Sequence, residues 1–372
     1  MHYFEFPTQD TTLYEKSQSR NTGLDEILEV RKDMNADGSV IYVSRALIKF
    51  DLTYVSKSIS SGLITSGSQT KFYLNLYDAN STELNVSQTL YSYPISQSWT
   101  NGSGKSDSNP QISDGASWRW RDNDIDKTYW SNVTGSGGTW YSGSGYEASQ
   151  SFTNEPKDVR MDVTDIMWRW LHGTVPNEGF MVKRSGSLGG SGSLSEEGNT
   201  TQYGHFSFFG RDTHTVYPPK LEVVWDDSKW TTGSLSALSN TDIEDMVLYM
   251  RGLRPKYVEN SKVKFRVVGR ERYPEKTYSS TGYSTGYVTA KYLPSGSTYY
   301  QVKDAYTEDI IIPFGSGSKV SCDSTGNYFN LWMNGLQSER FYRINYKVVS
   351  GSGTADETIQ YFDEKHSFKV VR

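Results

Sequence analysis

The residues of this chain that could bind a metal ion lie in one short segment. Asp33, Asn35 and Asp37 place oxygen-bearing side chains at alternate positions, and Gly38 follows where a sharp turn is expected. Calcium prefers such oxygens in this spacing, as in the first half of an EF-hand loop. That loop supplies a bidentate Glu where this chain has Ser44, so a closed site needs a carboxylate from elsewhere. A β-hairpin turn at Asp37-Gly38 is the simpler interpretation, because this pair favours positive φ angles.

Catalytic chemistry has no recognisable motif in the sequence. None of the five histidines has the spacing of a zinc peptidase helix, and neither a Gly-x-Ser-x-Gly nucleophile motif nor a Walker-type phosphate loop occurs. The chain has one cysteine, Cys322, which excludes an internal disulfide framework and a Cys-based zinc site. We therefore predict that the protein is not an enzyme and that it needs no cofactor, with calcium as the alternative.

A second set of candidate binding residues is aromatic. Trp118, Trp120, Trp130 and Trp140 lie in long segments between the expected strands. Rings in such loops anchor protein interfaces, stack on sugars, or pack locally against the sandwich. We predict these four tryptophans as interface residues, with glycan binding as the alternative role.

A third candidate site is basic. The residues from 251 to 276 include nine basic and three acidic side chains. Lys262, Lys264 and Arg266 alternate with apolar residues, which places their charges on one face of a strand. A solvated sheet face explains this pattern, and docking onto an acidic neighbour, such as the N-terminal half of another copy, is the functional alternative. The predicted interface residues of this stretch are Arg251, Arg254, Lys256, Lys262, Lys264 and Arg266.

The overall charge is weakly acidic and unevenly distributed. The 372 residues include 38 Lys/Arg and 43 Asp/Glu, a formal net charge of −5, which gives no general reason to expect nucleic acid or an anionic membrane as a partner. Residues 1–227 carry 19 basic and 28 acidic side chains, a net charge of −9. Residues 228–372 carry 19 and 15, a net charge of +4. Opposite signs favour side-by-side docking of domains or copies, although chance variation explains them equally well.

No segment of the sequence directs the chain to a membrane. Residues 1–7 lack the basic segment, apolar stretch and cleavage site of a signal peptide, and no window has the roughly 18 consecutive apolar residues of a membrane span. We therefore expect a soluble protein that is made in a cytoplasm and has no membrane partner.

The elements that must position the candidate residues are mostly β-strands. Apolar and polar residues alternate in short runs bounded by turn residues, which is typical of strands. Such runs are 71–77, 179–183, 220–225 and 262–268. Only residues 163–171 have helical spacing, so we predict one short helix, ending at Gly173. The pattern predicts an all-β protein built of sandwiches.

A change in composition divides the chain into two parts. Residues 226–241 lack strand alternation, and we interpret them as part of a linker. We predict a first β-sandwich over residues 1–227, a linker over residues 228–245, and a second, smaller Ig-like β-sandwich over residues 246–372.

The first part resembles the DNRLRE-type β-sandwich domains. The similarity is carried by an ordered set of short motifs: Thr11-Thr12-Leu13-Tyr14, Asn21-Thr22-Gly23, Ser44 to Leu52, Ser98-Trp99-Thr100, Asp162 to Ile166 with Trp170, Phe206 to Asp212, and Pro219 to Val223. The resemblance implies a jelly-roll-like sandwich, similar to carbohydrate-binding modules. Two long segments, between residues 102 and 153 and between residues 185 and 204, are insertions relative to this pattern.

The second part resembles a domain in structural proteins of contractile-tailed, T4-like bacteriophages. The matching segments are 262–270, 300–306, 311–315, 321–329, 339–346 and 368–372. The resemblance implies a virion protein, made in the host cytoplasm, whose partners are other virion proteins and copies of itself. Together the two resemblances predict a non-enzymatic structural protein of the tail, neck, collar or capsid exterior that does not bind nucleic acid. The alternative is a glycan-binding adhesion module that recognises host surface polysaccharide.

Overall fold

The structure is a computed structural model of the 372-residue chain. It describes residues 1–35, 38, 40–82, 86–124, 127–131, 137–153, 157–185, 195–233, 235–236, 246–273, 278–279, 282–283, 291–350 and 357–372, with only the backbone at 278–279 and 282–283. About 45% of the chain is strand and 8% is helix, and the prediction of an all-β, sandwich-type fold is confirmed. No helix in the described ranges is both long enough and apolar enough to cross a membrane.

The chain forms two compact units. The larger unit comprises residues 5–61 and 71–223, and the smaller unit comprises residues 1–4, 62–70 and 224–372. The sequence-based division assigned residues 1–4 and 62–70 to the first domain, whereas the structure includes them in the unit that contains the C-terminal part. Within the predicted linker, residues 234 and 237–245 lie outside the described residues.

The strands up to residue 224 are short and mostly antiparallel. They are β1 (His2–Glu5), β2 (Pro7–Tyr14), β3 (Ile27–Val30), β4 (Lys32–Met34), β5 (Ile41–Phe50), β6 (Lys71–Leu76), β7 (Gln88–Pro94), β8 (Trp120–Asp122), β9 (Thr128–Tyr129), β10 (Ala148–Phe152), β11 (Val159–Asp162), β12 (Phe180–Arg184), β13 (Phe206–Phe209) and β14 (Lys220–Val224). The helices are α1 (Thr53–Ser60) and α2 (Thr164–Leu171). The α2 helix matches the predicted one, whereas α1 was not expected because four of its eight residues are Ser or Thr, which are weak helix formers.

Two sheets form the sandwich of the larger unit. One has the order β10-β7-β12-β5-β2, with β4 also paired to β5, and in the other β14, β6 and β11 are neighbours. The residues of β5 alternate between two apolar environments. Ala46, Ile48 and Phe50 are buried on one face, and Phe50 contacts the ring of Phe180 at 6.2 Å. The other face carries Val43, Leu47 and a second core, so this sheet is covered on both sides.

The second core of the larger unit is built partly from the long segment between residues 102 and 153. That segment contributes Ala116, Trp118, Trp130 and Trp140. With Trp99, they pack against Leu13, Val43, Leu47, Tyr93, Ile95 and Met181. Such rings bury a large area each. The insertion is therefore part of the hydrophobic structure of the unit.

The remaining strands belong to the smaller unit. They are β15 (Met246–Arg251), β16 (Lys256–Val258), β17 (Lys262–Glu271), β18 (Tyr278–Ser279), β19 (Gly282–Tyr283), β20 (Thr298–Asp304), β21 (Ile310–Ile312), β22 (Ser321–Asp323), β23 (Gly326–Trp332), β24 (Phe341–Ser350) and β25 (Thr358–Val371). One sheet has the order β15-β17-β23-β22, and the other has the order β16-β25-β24-β20-β21. Phe265, Phe329, Tyr346 and Phe368 belong to the core of this unit, as the alternation in β17 predicts for Phe265.

Candidate functional site

Two of the three predicted calcium ligands, Asp33 and Asn35, lie at a turn of the larger unit. Asp33 belongs to β4 and Asn35 follows it, whereas Asp37 lies outside the described residues. The N–H of Gly38 donates to the carbonyl oxygen of Asn35 over 2.9 Å, and Gly38 has a φ of +67°. Both features fit a hairpin turn. In the part of the chain that the structure describes, no group of three His, Cys, Asp or Glu side chains is placed to hold a metal ion. Calcium binding stays a prediction.

Three of the four predicted interface tryptophans are not at the surface. Trp118, Trp130 and Trp140 are buried in the second core of the larger unit, where the indole N–H of Trp130 donates to the carbonyl oxygen of Ser117 over 2.9 Å. Their prediction as contact residues for a partner is wrong, because the insertion folds back over a sheet face that would otherwise expose apolar side chains. These three rings pack locally within the larger unit, which is one of the roles considered for loop tryptophans above.

The fourth tryptophan is partly accessible. Trp120 in β8 stacks on Tyr129 in β9, with 3.7 Å between the ring centroids, and the guanidinium of Arg119 lies 5.4 Å from the Tyr129 ring. Tyr129 is exposed. This pair remains available for contact with a ligand or partner.

The predicted basic stretch does not form one uniform surface. Lys256 lies on β16, in one sheet of the smaller unit, whereas Lys262, Lys264 and Arg266 lie on β17, in the other. Arg251, Arg254, Lys256 and Lys262 are exposed. Arg266 and Lys264 both bind Asp323, at 2.7 Å and 2.8 Å. Because the Arg266 hydrogen bond stabilises the carboxylate, the pKa of Asp323 lies well below its usual range. Two of the six cations are thus already paired within the unit.

A polar cleft of the larger unit is the candidate binding site. Its volume is about 410 Å³. It lies where the end of β2, the 3-10 helix Glu15–Ser17, β3, β4 and the start of β5 meet. The lining residues are Tyr14, Glu15, Lys16, Ser17, Arg20, Asp25, Ile27, Glu29, Arg31, Asp33, Tyr42, Val43, Ser44 and Ser106.

Strand pairing fixes one wall of the cleft. Asp33 of β4 lies directly opposite Tyr42 of β5, and Ser44 of β5 lies directly opposite Tyr14 of β2. Directly opposed residues on antiparallel strands have neighbouring side chains. The wall therefore combines two phenol rings with a carboxylate and a hydroxyl.

Hydrogen bonds hold the Glu29 side of the cleft in place. The hydroxyl of Tyr14 donates to Oε2 of Glu29 over 2.6 Å, and the guanidinium of Arg31 pairs with Oε1. The hydroxyl of Ser44 donates to the carbonyl oxygen of Glu29 over 2.9 Å and accepts the N–H of Arg31 over 2.8 Å. Burial raises the pKa of Tyr14 to about 12. The phenol therefore stays a hydrogen-bond donor at neutral pH.

Glu15 connects the cleft to buried charges. Its Oε2 accepts the N–H of Val43 over 3.0 Å. Burial raises the pKa of Glu15, while the Val43 hydrogen bond and the positive charge of Arg45 act in the opposite direction. Behind it, Arg45 binds Glu197 through two hydrogen bonds, and the ammonium of Lys183 lies 3.0 Å from the same carboxylate.

Two cations of the cleft have no internal partner among the described residues. Lys16 is exposed and Arg20 is half-buried, and neither side chain forms an ion pair or a hydrogen bond with any residue in the described ranges. Oδ1 of Asp33 lies 3.8 Å from Nδ1 of His205. Cations and carboxylates are thus both available to a ligand.

Sequence reasoning identified only Asp33 among the lining residues. A signal was present, since Glu29, Arg31 and Asp33 occur at every second position, which places them on one face of an extended chain. These three alternating charges, in the segment that ends in β4, next to the strand that carries Tyr42, could have indicated one side of a polar binding site.

Comparisons with known proteins give no family. No family model matches the chain, and no curated protein matches it. One solved structure with similarity is a DUF4785 family protein from Legionella pneumophila. It is 10% identical, with a TM-score of 0.19, over 99% of this chain and 71% of that one. Such a likeness carries no argument about function.

Proposed function

We propose that the protein is a non-enzymatic structural component of a tailed-bacteriophage particle, part of the tail, neck, collar or capsid exterior, which acts through contacts with other virion proteins and with copies of itself. The two sequence resemblances support this proposal. The observation that carries it is a set of large apolar side chains exposed on the smaller unit. They are Tyr306, Ile310, Phe341, Ile359 and Tyr361.

Two of these residues contact each other, and a third lies on the edge strand of the same five-stranded sheet. Tyr306 follows β20 and contacts the ring of Phe341, the first residue of β24, with 6.1 Å between centroids. Ile310 begins β21, the edge strand, opposite Lys303 of β20. Tyr306 is 74% exposed. We call Tyr306, Ile310 and Phe341 the aromatic edge.

Charged side chains surround the aromatic edge. Arg343 binds Glu308 at 3.1 Å, and Lys369 binds Glu339 at 2.5 Å while it lies 5.8 Å from the Phe341 ring. An apolar centre with a charged rim is the usual anatomy of a protein interface. Large exposed apolar side chains in a group are uncommon on proteins that act as monomers. The aromatic edge therefore favours a function in which partners cover this surface.

Quantitative mass spectrometry of gradient-purified particles tests the proposal. We expect the chain at a fixed ratio to the major capsid protein, in a multiple of three, six or twelve copies per particle. In a complementation assay, Tyr306→Ala with Phe341→Ala should lower incorporation, and the matched control Tyr54→Ala, on the exposed side of α1, should not. Absence of the chain from intact particles would overturn the proposal.

Glycan binding is the second candidate function, and the polar cleft favours it. The cleft combines aromatic rings, carboxylates and cationic donors in a concave site, and these groups can form hydrogen bonds with sugar hydroxyls and contacts with sugar rings. A panel of host surface polysaccharides, tested against the whole chain with and without calcium, checks it. Absence of binding across the panel would exclude this candidate while leaving the structural role open.

A further inference from the structure

We infer that the polar cleft is the glycan site of this chain and that it takes a neutral saccharide of one or two sugar residues. The inference rests on the second candidate function, glycan binding, and it moves the site from the loop tryptophans to the cleft. Three of those tryptophans are buried in the core, so their ring faces are occupied by the protein itself.

The size of the cleft limits the ligand. Its volume of about 410 Å³ lies in the lower half of the range of roughly 300–1,000 Å³ that small-molecule sites occupy. A polymer can therefore place one or two of its residues in the cleft.

The charges of the cleft select a neutral ligand. The lining includes four carboxylates and three cations, which are Glu15, Asp25, Glu29, Asp33, Lys16, Arg20 and Arg31. An anionic sugar would meet the carboxylates, and a cationic ligand would meet the ammonium and guanidinium groups, so each would lose part of its hydration against a like charge. Sugar hydroxyls both donate and accept hydrogen bonds. A polyhydroxylated neutral ligand can therefore satisfy both kinds of group at once.

Individual residues have distinct roles in this site. Lys16 and Arg20, without internal partners among the described residues, donate to sugar oxygens, and the carboxylates of Asp33 and Glu15 accept from sugar hydroxyls. Tyr42 is 36% exposed and presents its ring to the apolar face of a sugar, directly across from Asp33. The Tyr14–Glu29–Arg31 hydrogen bonds fix the Glu29 side of the cleft before the ligand binds. Because this side is already ordered, less conformational entropy is lost when the ligand binds.

Binding of a saccharide panel to the intact chain and to cleft variants tests the inference. The panel contains neutral mono- and disaccharides built from hexoses and N-acetylhexosamines, with uronic-acid and sulfated sugars for comparison. We expect binding of a neutral sugar that weakens about tenfold or more in Arg20→Ala, because a hydrogen bond to a charged donor is lost. Tyr42→Ala should weaken the same sugar by a similar factor, through loss of ring contact.

Control variants distinguish a loss of sugar binding at the cleft from an effect elsewhere in the protein. Tyr54→Ala removes an equally exposed tyrosine from α1, outside the cleft, and should leave sugar binding unchanged. Thermal unfolding shows whether Arg20→Ala and Tyr42→Ala keep the fold, and Lys16→Ala, at an exposed position, supplies a third cleft variant. Sugar binding that all three variants leave intact would overturn the cleft assignment but not glycan binding. Binding of acidic sugars alone would overturn the neutral-ligand inference, and no binding by the intact chain would overturn both.

Discussion

Arg45 and Glu197 form a two-point ion pair inside the larger unit, although they are 152 positions apart in the sequence. Nε of Arg45 lies 3.1 Å from Oε1 of Glu197, and Nη2 lies 2.9 Å from Oε2. The third nitrogen, Nη1, donates to the carbonyl oxygen of Gly137 over 2.7 Å, and the guanidinium lies 4.7 Å from the Trp118 ring. The pair therefore joins the interior strand β5 to both long insertions.

Removing the carboxylate of this pair should destabilise the larger unit strongly. Glu197→Gln leaves the guanidinium of Arg45 and the ammonium of Lys183 buried without their counter-charge, which typically costs about 3–5 kcal/mol. Urea-induced unfolding measures the loss. The exposed pair Lys71–Asp162 supplies the control, since Lys71→Ala should cost less than about 1 kcal/mol. Equal losses in the two variants would show that Glu197 is not part of a desolvated network.

Phe265→Ala should destabilise the smaller unit by about 3–5 kcal/mol, because it leaves a cavity in a closely packed core. The Phe265 ring is buried and lies 5.3 Å from the Phe329 ring and 5.5 Å from the Phe368 ring. Equilibrium unfolding in urea gives the difference. Tyr273→Ala, at a residue that is 77% exposed and lies just after β17, should have little effect. A loss under about 1 kcal/mol for Phe265→Ala would contradict the packing of this core.

The strands could be predicted because their pattern is local. In β17, alternation of Lys262, Lys264 and Arg266 with apolar residues depends on neighbours two positions apart, and the structure has Phe265 and Val267 buried as expected. Strand β5 is harder, since it is buried on both faces and its alternation is masked by Ala46, Leu47 and Ile48. The sequence pattern indicates a strand there but not what covers each face.

The site could not be predicted because it depends on long-range pairing. Whether Trp130 is exposed is decided by the fold of an insertion that local patterning does not describe, and the same holds for Trp118 and Trp140. The cleft exists because Asp33 pairs across from Tyr42 and because Tyr14 reaches Glu29, 15 positions away. The residue types show which charged side chains are present, but they do not show that these side chains meet in one cleft.

Asp10 should make the stability of the larger unit fall as the pH rises toward neutrality. Its carboxyl is 1% exposed, Oδ2 accepts the N–H of Arg211, and Oδ1 has no hydrogen-bond partner in the described part of the chain. Burial raises the pKa of Asp10 from 3.8 to about 7. Because the folded state binds the proton more tightly, the stabilisation is complete below pH 3.8 and is lost through pH 7. Asp10→Asn keeps the shape of the side chain but cannot ionise. The free energy of unfolding of this variant, measured in urea titrations, should therefore depend less on pH between 3.8 and 7. A slope identical to that of the unaltered protein would contradict the burial of this carboxyl.

Lys220 should have the opposite effect: it should make the stability of the larger unit rise with pH in the alkaline range. Its ammonium is buried beside the rings of Tyr77 and Phe6, at 5.3 Å and 5.9 Å from their centroids, and it forms no ion pair with any described residue. Burial lowers the pKa of Lys220 from 10.5 to about 8, although the charge of Glu222 acts against this. Between pH 8 and pH 10.5 the unfolded state therefore holds more protons than the folded state, so this group makes stability rise with pH.

The variant Lys220→Met isolates this contribution. It replaces the ammonium by an apolar group of similar length, so it should be at least as stable as the unaltered chain at pH 7, where the buried charge costs most. The difference in the free energy of unfolding between the two proteins should shrink as the pH rises from 8 to 10.5, and ionisation of tyrosines cancels in that difference because both proteins share them. Lys71→Met, at an exposed position, is the matched control and should show no such trend. A difference that stays constant over this range would show that the Lys220 ammonium is solvated and not buried.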